Sequence, residues 1–228
     1  MVLSRRLEVI ASMISPCPSV TDIGTDHGYL PIWLVEHGIC DHAVAADVRK
    51  GPLETAERNC LEHGIGKDRI EPVLSDGLKD ITPGENSAKE TLVIAGMGGE
   101  TIVDILSGEP AKAHAYGAYI FSPHTKHEEL RRYMGRAGYR ITGERYLTDA
   151  GKLYVVISAV NGDDACVTDA DYRFGPFIDE AIKDMEIYGI LQSRYEGLER
   201  MLGTAGLPKS RALEIRRELE AYKEVLKL

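Results

Sequence analysis

The 228-residue chain reads as an α/β fold, a seven-stranded and mainly parallel sheet followed by an antiparallel helical hairpin. Three observations predict it. Through about residue 160, short β-rich apolar runs alternate with stretches of helical periodicity, which is the pattern of βαβ units. The last two of those runs stand too close together for a crossover helix. Beyond Asn161-Gly-Asp-Asp164, a turn cluster, the pattern changes to a continuous helical stripe.

The runs place strands at Ser19 to Ile23, His42 to Asp47, Ile70 to Ser75, Thr91 to Ala95, Ala118 to Ser122, Tyr139 to Leu147 and Lys152 to Val160. The last pair should turn through Thr148-Asp-Ala-Gly151 and lie antiparallel. In the tail, Ile178, Ile182, Met185, Tyr188, Leu191, Tyr195, Leu198 and Leu202 recur at steps of three and four, one face of one helix. Gly203-Thr-Ala-Gly-Leu-Pro208 breaks it. Ala212, Ile215, Leu219, Tyr222 and Leu226 then repeat the stripe, so two helices should pack as a hairpin. The chain divides accordingly into a domain over residues 1–165 and a coiled-coil-like arm over 166–228.

Composition narrows the function classes. With 43% apolar and 28% charged residues, the chain has the make-up of a soluble globular protein with a real core. The four cysteines form no C-x-x-C pair, so neither a disulfide scaffold nor a zinc ribbon is expected. No run approaches the length of a membrane span. The charged N-terminus does not read as a signal peptide, so a cytoplasmic location is expected. The net charge of −9, most of it before residue 170, argues against a protein that coats nucleic acid but leaves room for a local basic patch.

The first strand runs into Asp22-Ile-Gly24-Thr-Asp26-His-Gly28-Tyr-Leu-Pro31. A glycine-rich turn lets the backbone approach a ligand at the carboxyl edge of a sheet. A dinucleotide fingerprint read from Gly24 needs glycine where Asp26 and Tyr29 stand, which disfavours NAD. What remains resembles motif I of S-adenosylmethionine methyltransferases, with Asp26 replacing the middle glycine. Asp47 ends the second strand, about 20 residues after that turn, where a carboxylate can accept from a ribose diol. Asp76 ends the third, near where an adenine ring would lie. The fourth runs into Ala95-Gly96-Met97-Gly98-Gly99, a turn that brings backbone close to cofactor and acceptor, or simply a strand-to-helix turn.

Together, Asp22 to Pro31, Asp47-Val-Arg-Lys-Gly-Pro-Leu53, Ser75-Asp-Gly-Leu78 and Ile94 to Gly99 resemble the bacterial TrmK family of tRNA (adenine(22)-N1)-methyltransferases. The likeness extends to Lys152-Leu-Tyr154 and the two-helix tail. It departs at Phe121-Ser-Pro-His124, where a Gln is expected before the proline. The resemblance implies a class I Rossmann-like methyltransferase domain using S-adenosyl-L-methionine on tRNA. The cofactor would then meet Asp22, Gly24, Thr25, His27 and Gly28 of the first loop, Asp47 and Val48 of the second, Asp76 and Gly77 of the third, and Gly96, Met97 and Gly98 of the fourth. Asp26 is the candidate catalytic carboxylate, for the cationic ring that methylation creates; cofactor positioning is its alternative.

His124 and His127 stand three apart without a third ligand, so no metal is expected. Lys126, Arg131, Arg132, Arg136, Arg140 and Arg145 outnumber the nearby Glu128, Glu129 and Glu144. The expected substrate contacts are Pro123, His124, Lys126, Arg131, Arg132 and Arg136, with Arg132 and Arg136 one helical turn apart and able to face phosphates together. Lys209, Arg211, Arg216 and Arg217 form a second patch on the arm. Ordinary solvated helix faces are the alternative for each. Two rival readings of the whole remain, a small-molecule methyltransferase and a non-catalytic partner-binding protein on a Rossmann-like domain.

Overall fold

The computed structural model describes residues 1–149, 152–163, 165–204 and 206–228. Parts of the three expected turns, at Ala150 and Gly151, at Asp164 and at Ala205, lie outside the described residues. Helix α1 (Arg5–Ser12) precedes β1 (Cys17–Ile23), α2 (Tyr29–Glu36), β2 (Cys40–Asp47), α3 (Lys50–Glu62) and β3 (Ile70–Leu74). After a 3-10 turn come β4 (Thr91–Met97), α4 (Gly99–Gly108), α5 (Pro110–Ala113), β5 (Ala118–Pro123), α6 (His127–Arg136), β6 (Tyr139–Asp149) and β7 (Lys152–Asn161). The C-terminal part is α7 (Asp169–Phe174), α8 (Ile178–Ala181), α9 (Met185–Leu202) and α10 (Lys209–Leu226).

Among the described residues one sheet carries seven strands in the order β3-β2-β1-β4-β5-β7-β6. The first five pair in parallel, and β7 pairs antiparallel with both β5 and β6. The order reverses between β1 and β4, which opens a crevice at their carboxyl ends. One face of the sheet is covered from α1, α2 and α3 through Ile10, Leu34 and Cys60. The other is covered from α4, α5 and α6 through Ile102, Ala113 and Met134. Burial of both faces explains the continuous apolar strands.

A third cluster joins Ala170, Phe174, Ile187, Leu191, Tyr222 and Leu226 and packs against Tyr146 of β6 and Leu153 of β7. The arm therefore rests on the sheet. Its helical stripe is broken where the sequence reads it as continuous: Asp184 caps α9 by accepting from the Glu186 N–H at 2.8 Å, and Met185 is 78% exposed. Ile187 takes the buried place instead. No helix among the described residues is long and apolar enough to cross a membrane.

Candidate functional site

At the end of β1 the backbone turns sharply over β2: the N–H groups of Gly24 and Thr25 both donate to the Ala46 carbonyl, at 2.8 and 2.9 Å. Gly24 has φ +77°, and a Cβ there would collide with the Met97 methyl group, so both conformation and space require glycine. Two clefts meet at Gly24. One, of about 360 Å³, is lined by Gly24, Asp47, Val48, Asp76, Gly77 and Met97. The other, of about 280 Å³, is lined by Arg6, Asp22, Gly24, Asp26, Tyr29 and Ala95.

In the first cleft, Asp47 is buried and its Oδ1 accepts from the Arg49 backbone N–H at 2.8 Å. No protein hydrogen bond reaches its Oδ2 among the described residues. Ser75 shapes the next loop, donating from its hydroxyl to the Gly77 carbonyl at 2.8 Å and accepting from the Asp80 N–H at 3.1 Å. Asp76 lies just past the end of β3, exposed and paired with Lys79.

In the second cleft, Asp22 is 6% exposed. Burial pushes its carboxyl up to about 6, partly opposed by the Thr25 hydroxyl and the Arg6 guanidinium. Among the described residues Arg6 Nη1 is buried without a hydrogen-bond partner. Together they complement a zwitterion: a buried acid suited to a cation, beside a buried donor that needs an anion. Asp26 differs from Asp22, its side chain 82% exposed and 3.1 Å from His27 Nε2. His27 holds φ +59° and its carbonyl accepts from Asn59 Nδ2 at 2.9 Å, tying the loop to α3.

A methyltransferase-domain family model matches residues 3–157, more than half of the chain. Over 181 residues the chain is 32% identical to the tRNA (adenine(22)-N(1))-methyltransferase of Bacillus subtilis (strain 168), spanning 77% of this chain and 74% of that protein. The chain belongs to this family. Solved structures agree across the whole length. The crystal structure of Streptococcus pneumoniae Sp1610 in complex with S-adenosyl-L-methionine is 32% identical, covers 99% of this chain and 100% of that one, and has a TM-score of 0.87. M. capricolum TrmK in complex with S-adenosyl-homocysteine is 25% identical at TM-score 0.88, covering 100% of this chain and 99% of that one.

Within this tRNA methyltransferase framework the expected cofactor residues separate. Gly24, Asp47, Val48, Asp76, Gly77 and Met97 share the first cleft, and Asp22 and Asp26 share the second with Gly24. Thr25 is buried behind them, Gly28 abuts Ala56 of α3, Gly96 lies beside the Arg6 guanidinium, and Gly98 caps α4.

The expected substrate residues separate further. Arg131 is corrected: it is 1% exposed, and its Nε donates to Glu144 at 2.8 Å while Nη1 donates to the carbonyls of Tyr172 and Arg173. Buried among these acceptors, its guanidinium does not form part of an exposed basic face. Arg132 is paired with Glu128 and Asp169 and stacks on Tyr172, and Lys126 is paired with Glu100 and Glu129. Arg136 is exposed and takes part in no ion pair among the described residues. Pro123 is buried, while His124 is exposed with its ring edge-on to Tyr154. Ser122, at the place of the expected Gln, is buried and donates to the Val155 carbonyl at 3.2 Å, a bracing contact. On the arm, Arg211 is paired with Glu214.

Arg6 and Tyr29 are lining residues that sequence reasoning missed. Nothing in Arg5-Arg6-Leu7-Glu8 says which arginine turns inward.

Proposed function

We propose that this protein transfers the methyl group of S-adenosyl-L-methionine to N1 of an adenine in tRNA. The observation that carries the reading is the pair of clefts meeting at Gly24, at the switch point of the sheet. One has a buried carboxylate suited to a ribose, the other a buried acid and a buried guanidinium nitrogen with no hydrogen-bond partner among the described residues. These residues fit the cofactor. Asp47 would hold the ribose, with Asp76 and Gly77 toward the adenine; Arg6 would take the carboxylate and Asp22 the ammonium. When bound, the cofactor supplies an electrophilic methyl group on a sulfonium.

The fourth-strand loop offers Gly96, Met97 and Gly98, none of which is a base. Adenine N1 needs none, because it carries a lone pair and no proton. The chain's task is alignment. N1 lies on the Watson-Crick edge, so a paired adenine must be unpaired or turned out of its stack, and cations such as Arg136 can hold the displaced backbone. Asp26 would either oppose the developing ring charge or orient the cofactor.

Methyl transfer to unmodified tRNA, followed by mapping of the product base, tests the reading. Methyl on N6, or on any base other than adenine, would overturn it. tRNA binding that weakens with salt separates it from a small-molecule methyltransferase, because phosphate contacts release counterions.

A further inference from the structure

Where the sheet meets the arm lies a third cleft, of about 210 Å³, lined among others by His124, His127, Tyr154, Arg173, Arg194 and Tyr222. It is smaller than the roughly 300 Å³ at which clefts for drug-sized ligands begin, which suits one planar ring, with an attached anion left to the exposed Arg194. It borders the proposed cofactor site. The backbone N–H of His124 donates to the Met97 carbonyl at 2.8 Å, and Met97 lines the cleft that holds Asp47.

Its charges differ in availability. Arg173 is held by Glu128 at 3.2 Å and Glu218 at 3.1 Å, which occupies both that cation and the carboxylate of Glu218. Arg131 is held by Glu144. Arg194, exposed on α9 with the Tyr222 hydroxyl as neighbour, is in no ion pair among the described residues. The Tyr154 ring is half-buried, lines this cleft and stands at a steep angle to the His124 ring, centroids 5.8 Å apart. His127 bonds the Pro123 carbonyl and is pushed down to about 4, by burial first and the Arg131 charge second, so it is neutral at physiological pH. An aromatic ring and a cation in no ion pair among the described residues are the elements that bind single-stranded nucleic acid, and the neutral imidazole beside them adds no competing charge. The neighbouring groove between α6 and α10 lacks this balance, because its cations face as many carboxylates.

We propose that this junction cleft is a subsite for one unpaired nucleotide of the tRNA strand flanking the reacting adenine, its base stacked on Tyr154 and its phosphate held by Arg194. The proposal rests on the tRNA-methylating reading and deepens it. The arm thereby completes the acceptor site with a residue of its own.

The test uses the full chain and unmodified tRNA, with Arg194→Ala, Tyr154→Leu and Tyr154→Phe. Arg194→Ala should raise the KM for tRNA several-fold and lower the slope of log affinity against log salt by about one, a change that a merely structural residue would not produce. Tyr154→Leu should weaken tRNA binding by roughly five- to hundredfold, while Tyr154→Phe keeps it. Cofactor affinity by calorimetry should stay at the wild-type value in all three. Wild-type tRNA affinity and salt slope in both Arg194→Ala and Tyr154→Leu would overturn the subsite, as would equal losses in Tyr154→Leu and Tyr154→Phe. Wild-type protein that binds tRNA but leaves its adenines unmethylated would instead sink the proposed reaction, and the binding data would still judge the cleft.

Discussion

Asp22 is a carboxylate whose ionised form the fold disfavours. Its pKa stands near 6 in the folded protein against 3.8 for an ordinary aspartate, so between these values the folded state binds more protons than the unfolded state. Stability therefore falls as pH rises from about 4 to about 6, and the whole cost is present at neutral pH. Asp22→Asn should stabilise the cofactor-free protein at about pH 7.5 by roughly 2 to 3 kcal/mol and flatten that slope, while weakening cofactor binding. Urea titrations from about pH 4 to pH 8 check it. A less stable variant with the slope intact would mean that another group titrates there. Asp47 makes the complementary case. Its Oδ2, which no described residue hydrogen-bonds, would accept from a ribose hydroxyl, and a charged hydrogen bond of about 1.5 to 3 kcal/mol means that Asp47→Ala should weaken cofactor binding roughly ten- to hundredfold. Calorimetry on the folded variant decides, and unchanged affinity would remove the assignment.

At the scale of elements, the arm is latched to the sheet by Arg131. Its guanidinium joins Glu144 of β6 to the carbonyls of Tyr172 and Arg173 near the end of α7. The Tyr146 hydroxyl donates to Glu144 at 2.8 Å and also reaches the Phe174 carbonyl. Gly175 allows the approach, since at φ +96° a Cβ there would collide with Glu144. Removing one partner strands a buried charge, so Arg131→Met should cost about 3 to 5 kcal/mol, and Arg131→Met combined with Glu144→Leu should recover most of it. Chemical denaturation of the single and double variants measures this; equal losses in the two would mean that packing rather than charge dominates. The latch also marks where sequence reading stops. The positions of the strands are legible because each is an apolar run bounded by turn residues, and Asp22, Asp47 and Asp76 are legible because they fall where such runs end. Arg131 sits on a helix among other cations, and nothing local distinguishes it from Arg132 until folding brings Glu144 beside it. The break at Asp184 is hidden for a similar reason, because the apolar spacing continues across it while the cap acts through a side chain.

For the whole molecule the difficulty is that a chain of net charge −9 has to hold a polyanion. Pairing decides which cations are available for it. Arg131, Arg132, Arg173 and Arg211 are bound to carboxylates, whereas Arg136 on α6 and Arg194 on α9 are exposed and in no ion pair among the described residues. These two lie on the sheet domain and on the arm respectively, so a tRNA that touched both would span the latch. Affinity for tRNA should therefore fall with salt at a modest slope, set by the few phosphates that such unpaired cations meet rather than by the total of basic residues. Arg136→Ala should lower that slope by about one and weaken binding without changing cofactor affinity. Arg211→Ala, which removes a cation already neutralised by Glu214 at 2.9 Å, should leave the slope where it is. Binding of unmodified tRNA across a salt series, with wild type and both variants side by side, reads the difference. Equal slopes for the two variants would show that ion pairing on this surface does not govern which cations meet the RNA.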